Sequence, residues 1–173
     1  VFNNLGSICF QQKQFDKALL LFEESIKKFP NSLEAYPNLA NVLINKGRRD
    51  IAIKILNKAI ELNPNYLRPY SNLAGIYVGE GDFKKAEHFL RKSVDLNPKD
   101  LNSLVNLGCV LKDLGNPEEA EIFFRDALEI NPSYEIALTN LGAVLSELEK
   151  IDEAEKYLKK ALSINSASPM ALN

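Results

Sequence analysis

The chain is 173 residues long, 46% apolar and 25% charged, with a formal net charge of −2. That balance belongs to a soluble folded protein, and the absence of excess positive charge argues against a nucleic acid or an anionic membrane as partner. No apolar run approaches the roughly 18 residues of a membrane span, so no membrane insertion is expected.

Internal periodicity organises the rest. Pro30, Pro64, Pro98 and Pro132 are 34 residues apart, and Ala18, Ala52, Ala86, Ala120 and Ala154 keep the same pitch. So do Leu5, Leu39, Leu73, Leu107 and Leu141, and Asn4, Asn38, Asn72, Asn106 and Asn140. These columns define repeats at 1–32, 33–66, 67–100, 101–134 and 135–168, with 169–173 opening a further repeat or a capping helix.

Each repeat reads as two helices, A and B. The first enters within helix A at Phe2, without its opening residues, and helix B carries Ala18 and Phe22 before closing at Lys27-Lys28. In the second, Tyr36, Leu39 and Ala40 lie on helix A, Gly47 stops it, and Ala52 and Leu56 lie on helix B. The third repeats this with Tyr70, Leu73 and Ala74, then Gly81, then Ala86 and Leu90. The fourth is fullest: Leu104, Leu107, Cys109–Leu111 and Leu114 share one helical face, and Gly115 is a C-terminal stop. Asn116 is then the expected N-cap, with Pro117 at the first helical position and Glu118-Glu119 in the first turn. Asn131-Pro132 ends its helix B, because a residue before proline is pushed out of the α region. The fifth has Leu138, Leu141 and Gly142, then Ala154 and Leu158, closing at Lys159-Lys160. The small residues Gly6, Ala40, Ala74, Gly108 and Gly142 are expected to face the alanine column and let the two helices approach closely, with bulky columns filling the space around them.

The order bulky–x–x–Leu–Gly/Ala, then Ala, then aromatic or Leu, then Pro, resembles the tetratricopeptide repeat family over essentially the whole chain. The resemblance implies an all-α, right-handed superhelical solenoid of antiparallel helix pairs. It also implies that the A helices line a concave groove for a protein or extended peptide. The groove positions it implies are Asn3, Asn4, Ser7, Phe10 and Gln11 in the first repeat, then Glu34, Pro37, Asn38, Asn41, Ile44 and Asn45 in the second. The third supplies Arg68, Ser71, Asn72, Gly75, Val78 and Gly79. The fourth supplies Asn102, Val105, Asn106, Cys109, Lys112 and Asp113, and the fifth Ile136, Thr139, Asn140, Ala143, Ser146 and Glu147.

Nine of these positions are asparagine, and a carboxamide both donates and accepts hydrogen bonds. A file of Asn4, Asn38, Asn72, Asn106 and Asn140, with Asn41, Asn45, Asn102, Arg68 and Lys112 beside it, could hold the backbone of an extended peptide. In this the column is similar to the repeat region of O-linked N-acetylglucosamine transferase. The other reading is that these amides are repeat consensus and satisfy the neighbouring helix. Chaperone-binding members of the family grip a C-terminal carboxylate with a Lys/Arg and Asn clamp. The matching places hold Asn3, Ser7, Asn38, Arg68 and Asn72, without the first lysine or the final arginine, which argues against that partner.

Candidate chemistry is sparse. His88 has Glu87 beside it but no Cys or Asp cluster at ligand spacing, so no metal is expected. Cys9 and Cys109, 100 positions apart, suit reduced thiols and a cytoplasmic setting rather than a disulfide framework. A reactive Cys109 would need a positive neighbour, and Lys112 is one turn away. Adjacent acidic pairs such as Glu118-Glu119 read as solvated faces. No phosphate loop, nucleophile set or cofactor motif is present. The expectation is a non-catalytic interaction scaffold. Two alternatives stand beside it: a substrate-recruiting arm of a larger enzyme such as a glycosyltransferase, and an assembly unit that self-associates through uncapped end repeats, with Leu158, Leu162 and Ile164 near the exposed end.

Overall fold

The computed structural model describes residues 1–166; positions 169–173, read above as the start of a further element, lie outside the described residues. Ten helices and no strand occur among the described residues: α1 (Phe2–Gln11), α2 (Phe15–Lys28), α3 (Ala35–Asn45), α4 (Arg49–Leu62), α5 (Leu67–Glu80), α6 (Phe83–Leu96), α7 (Leu101–Asp113), α8 (Pro117–Ile130), α9 (Glu135–Glu147) and α10 (Ile151–Ser166). The chain divides into two compact units, the first ending at Gly81 and the second beginning at Asp82.

In the first unit α1 pairs with α2 and α3 with α4, while α3 also packs on α2, α1 and α5. Phe22, Leu43, Leu56 and Leu73 are fully buried there, around Ala18 and Ala52 at zero exposure. Each such large side chain contributes on the order of 1.5–3 kcal/mol. Leu5 departs from its column: it is 47% exposed where Leu39 is 4% exposed. Leu39 lies against α2, and among the described residues no helix covers that side of α1. Tyr36 and Tyr70 each donate a hydroxyl hydrogen bond to a proline carbonyl six residues earlier, Pro30 at 2.7 Å and Pro64 at 2.8 Å.

In the second unit α7 pairs with α8 and α9 with α10, while α6 packs on α7 and α8 on α9. Leu104, Leu107, Leu111, Phe124, Leu138, Leu141 and Leu145 form its core. A buried hydroxyl pair, Ser93 and Ser103 at 2.7 Å, ties α6 to α7. Across the B helices, Arg91 bonds Glu87 and Glu119, each at 2.8 Å, while Arg125 bonds Glu121 at 2.8 Å and Glu153 at 2.7 Å. Leu162 is 69% exposed on α10, whereas Leu158 and Ile164 are half-buried.

The turn between helices is set by one backbone angle. Gly47, Gly81 and Gly115 have φ of 72°, 75° and 80°. No atom lies within 4 Å of where their Cβ atoms would be, so glycine is used for its angle and not for space. Lys13 and Glu149 adopt the same conformation at φ 58° and 59° without glycine. The amides of Gln14, Arg48, Asn116 and Lys150 then bond carbonyls five residues back, closing the helix end. Asn116 occupies the expected cap position, but its side chain makes no capping bond. Pro117 presets the first turn and the acidic Glu118-Glu119 face the helix N-terminus. Capping side chains occur instead at Asp82 and Asp100, which accept from the amides of Lys85 and Ser103. At the Asn-Pro turns, Asn63, Asn97 and Asn131 accept from the amide two residues on.

The packing between helices sharpens one expectation. Gly6, Gly108 and Gly142 lie nearest the bulky column: a Cβ on them would lie 2.7 Å from Phe22 Cε1, 2.7 Å from Phe124 Cε1 and 2.5 Å from Leu158 Cγ, with the Ala154 carbonyl of the alanine column 3.4 Å from that of Gly142. Helix approach is limited by the largest atoms between the axes, and the glycines make room for those. Where helix A carries alanine at this position, at Ala40, the bulky column carries Leu56.

Candidate functional site

The A helices carry polar side chains in each unit. In the first, the asparagines bond to one another and to neighbouring residues. Asn38 of α3 donates to Asn3 Oδ1 of α1 at 2.9 Å and accepts from Arg68 Nη2 of α5 at 3.2 Å. Asn3 in turn donates to Glu34 at 3.4 Å. Asn72 of α5 donates to Asn41 Oδ1 at 3.0 Å and makes a longer contact with the Pro37 carbonyl at 3.5 Å. Asn45 donates to the Asn41 carbonyl within its own helix at 2.8 Å. Asn4 is exposed and makes no side-chain hydrogen bond among the described residues.

Asn38 and Asn41 also border a cavity of about 240 Å³ on α1 and α3, with Ser7 and Gln11 on its polar side and Phe10 and Phe22 on its apolar side. Phe10 is held edge-on against Phe15, ring centroids 5.5 Å apart. Phe22 comes from helix B and was not among the groove positions the sequence suggested. Its signal was Gly6, whose missing side chain lets the ring reach between the helices. On α5, Gly75 and Gly79 are exposed with no atom within 4 Å of a Cβ position, leaving the helix backbone open to close approach.

In the second unit the file is looser. Asn102 accepts from the Tyr134 hydroxyl at 3.0 Å, and Asn140 donates to its own helix at the Ile136 carbonyl, 2.8 Å away. Asn106 is exposed and makes no side-chain hydrogen bond among the described residues. Lys112 is half-buried, one turn from Cys109. Burial pushes the Cys109 thiol pKa up; Lys112 opposes this and Asp113 adds to it. The net effect is a protonated thiol, not a nucleophile.

Two implied groove positions are not on the surface. Pro37 is buried, and Val105 is 3% exposed. Both lie in the column nearest the neighbouring A helix, where α3 meets α1 and α5 and α7 meets α9. An apolar side chain there packs inward.

Helix pairs at a 34-residue pitch, a left-handed turn within each pair and a proline turn between pairs define a helical-repeat protein. Tetratricopeptide repeat models match residues 10–76, 51–108, 101–134 and 136–167. The chain belongs to the tetratricopeptide repeat family. No curated protein matches it.

Solved structures of the same fold include a crystal structure of MamA, 24% identical over 93% of this chain and 94% of that one, with a TM-score of 0.82. MamA from Desulfovibrio magneticus RS-1, from residue 41 to its end, is 18% identical over 97% and 95%, with a TM-score of 0.83. Pseudomonas aeruginosa PilF is 20% identical over 94% of this chain and 74% of that one, with a TM-score of 0.85. At these identities the likeness is one of fold. No helix of the described residues is long and apolar enough to cross a membrane.

Proposed function

We propose that this chain is a protein-interaction scaffold whose A-helix faces hold an extended peptide, chiefly through its backbone. The observation that carries this reading is the amide cluster of the first unit. Asn38 is held between Asn3 and Arg68, and Asn41 accepts from Asn72; Asn38 and Asn41 border a cavity with aromatic walls. Donors and acceptors held in place before binding lose little entropy on binding. The same bonds also suit amides that serve only to join neighbouring helices, so the experiment must separate the two roles.

Peptides selected from a phage-displayed random dodecapeptide library are measured against the parent and against an Asn72→Ala/Asn106→Ala variant. Backbone-directed binding predicts at least a tenfold loss of affinity, about 1.4 kcal/mol, with the far-ultraviolet helix signal retained. It also predicts weak dependence on salt, because few charges line these faces. Unchanged affinity in the variant overturns the peptide reading, and a steep fall of affinity with salt overturns its backbone-directed character.

A further inference from the structure

The seams between neighbouring B helices differ in a way the repeat columns make plain. Between α6 and α8, Arg91 reaches Glu119; between α8 and α10, Arg125 reaches Glu153 and the hydroxyl of Tyr157. In the same columns, 68 and 102 residues earlier, the seam between α2 and α4 has Glu23 in place of the arginine, Ile51 in place of the glutamate and Ile55 in place of the aromatic. Glu23 and Ile51 cannot form the bridge. What remains is a cleft of about 250 Å³, floored by Leu39 and Leu43 of α3 and walled by Ile26, Ile51 and Ile55. Ile51 is 38% exposed within it.

The rim carries two cations, Lys27 and Arg48, and one carboxylate, Glu23. None of the three forms an ion pair among the described residues, although Lys28, Lys46 and Lys58 nearby are all paired. The volume falls below the roughly 300–1,000 Å³ of sites that enclose a small molecule. It suits aliphatic side chains presented by another protein, with the rim favouring carboxylates beside them.

We infer that this seam is a second docking surface, separate from the A-helix faces. Its partner is a short acidic–aliphatic segment of another protein, placing branched side chains against Ile51 and Ile55 and a carboxylate on Lys27 and Arg48.

The test remakes the seam in the image of its counterparts. A Glu23→Arg/Ile51→Glu variant places an arginine and a glutamate where Arg91 and Glu119 meet, closing the cleft without removing core atoms. The dodecapeptide library is panned on the parent chain, and each selected peptide is measured against this variant and against Asn72→Ala/Asn106→Ala. A class of acidic, Leu/Ile/Val-containing peptides is expected. These should bind the seam variant at least tenfold more weakly, bind the asparagine variant as they bind the parent, and lose affinity as salt is raised. A Lys27→Ala/Arg48→Ala variant should weaken the same peptides several-fold, which a merely apolar contact would not show. The proposal is overturned if no selected peptide is sensitive to the seam variant, or if the sensitive ones carry no acidic residue. Because the two surfaces are read by different variants, failure of one leaves the other standing.

Discussion

Gly108 of α7 and Phe124 of α8 are packed so closely that a methyl group on the glycine would lie 2.7 Å from the ring edge. The ring is fully buried. Gly108→Ala should therefore destabilise the fold by about 1–2 kcal/mol, the overpacking cost outweighing the gain in helix propensity. Adding Phe124→Leu recreates the alanine–leucine pair found at positions 40 and 56, and should recover part of the loss. Thermal melts of the parent, both single variants and the double variant measure the coupling; simple additivity would contradict the contact.

Lys13 and Glu149 hold the left-handed conformation that glycine holds at 47, 81 and 115. An L side chain pays roughly 1–2 kcal/mol for that angle, partly offset by the greater freedom glycine has when unfolded. Lys13→Gly and Glu149→Gly are each expected to stabilise the chain by about 0.5–1 kcal/mol. A urea midpoint that fails to rise in either variant would count against the turn geometry.

Glu121 accepts hydrogen bonds from Arg125 and from Lys150 at 2.7 Å. Partial burial opposes its ionisation, but the bonds from Lys150 and Arg125 prevail and hold its pKa below the ordinary 4.5. Its contribution to stability is therefore complete above that value and is lost as pH falls through the lower folded-state pKa. Glu121→Gln should be less stable than the parent at neutral pH, and the difference should vanish on acidification. Denaturant midpoints measured between pH 7 and pH 2 give the comparison.

Cys109 should react slowly, because burial raises its pKa above the ordinary 9.0. Alkylation by iodoacetamide, followed by mass spectrometry of the Cys109 peptide, should run well below the rate of a free thiol at neutral pH. The rate should climb with pH through the neutral range and still be climbing at pH 9. Replacing Lys112 by alanine should slow the reaction further, since Lys112 is the group that lowers this pKa.

Much of this architecture can be read from spacing alone. The helix pairs follow from the columns, and the glycine turns at 47, 81 and 115 follow from the same pitch. The turns at Lys13 and Glu149 are marked by register although the residue type gives no hint. What spacing does not convey is which column lies nearest: the glycines lie tightest against Phe22, Phe124 and Leu158. That depends on the rotation of one helix about another, which a linear pattern leaves open. The candidate site was legible as a list of faces, and less so as contacts. Asn38 between Asn3 and Arg68 is a matter of side-chain rotamers, and Pro37 and Val105 are apolar residues drawn inward beside a neighbouring A helix.

The uneven seams also bear on how the chain would respond to mechanical load. Helical-repeat proteins hold together through successive neighbour interfaces, each with its own strength. Where Arg125 joins α8 to α10, two helices must part with their charges in register. Where Glu23 stands beside Ile51, nothing comparable resists. In an optical-trap pull on its two ends, the seam of α2 and α4 should yield at lower force than that of α8 and α10. The opening that could admit a partner would then also be the place where tension is first released.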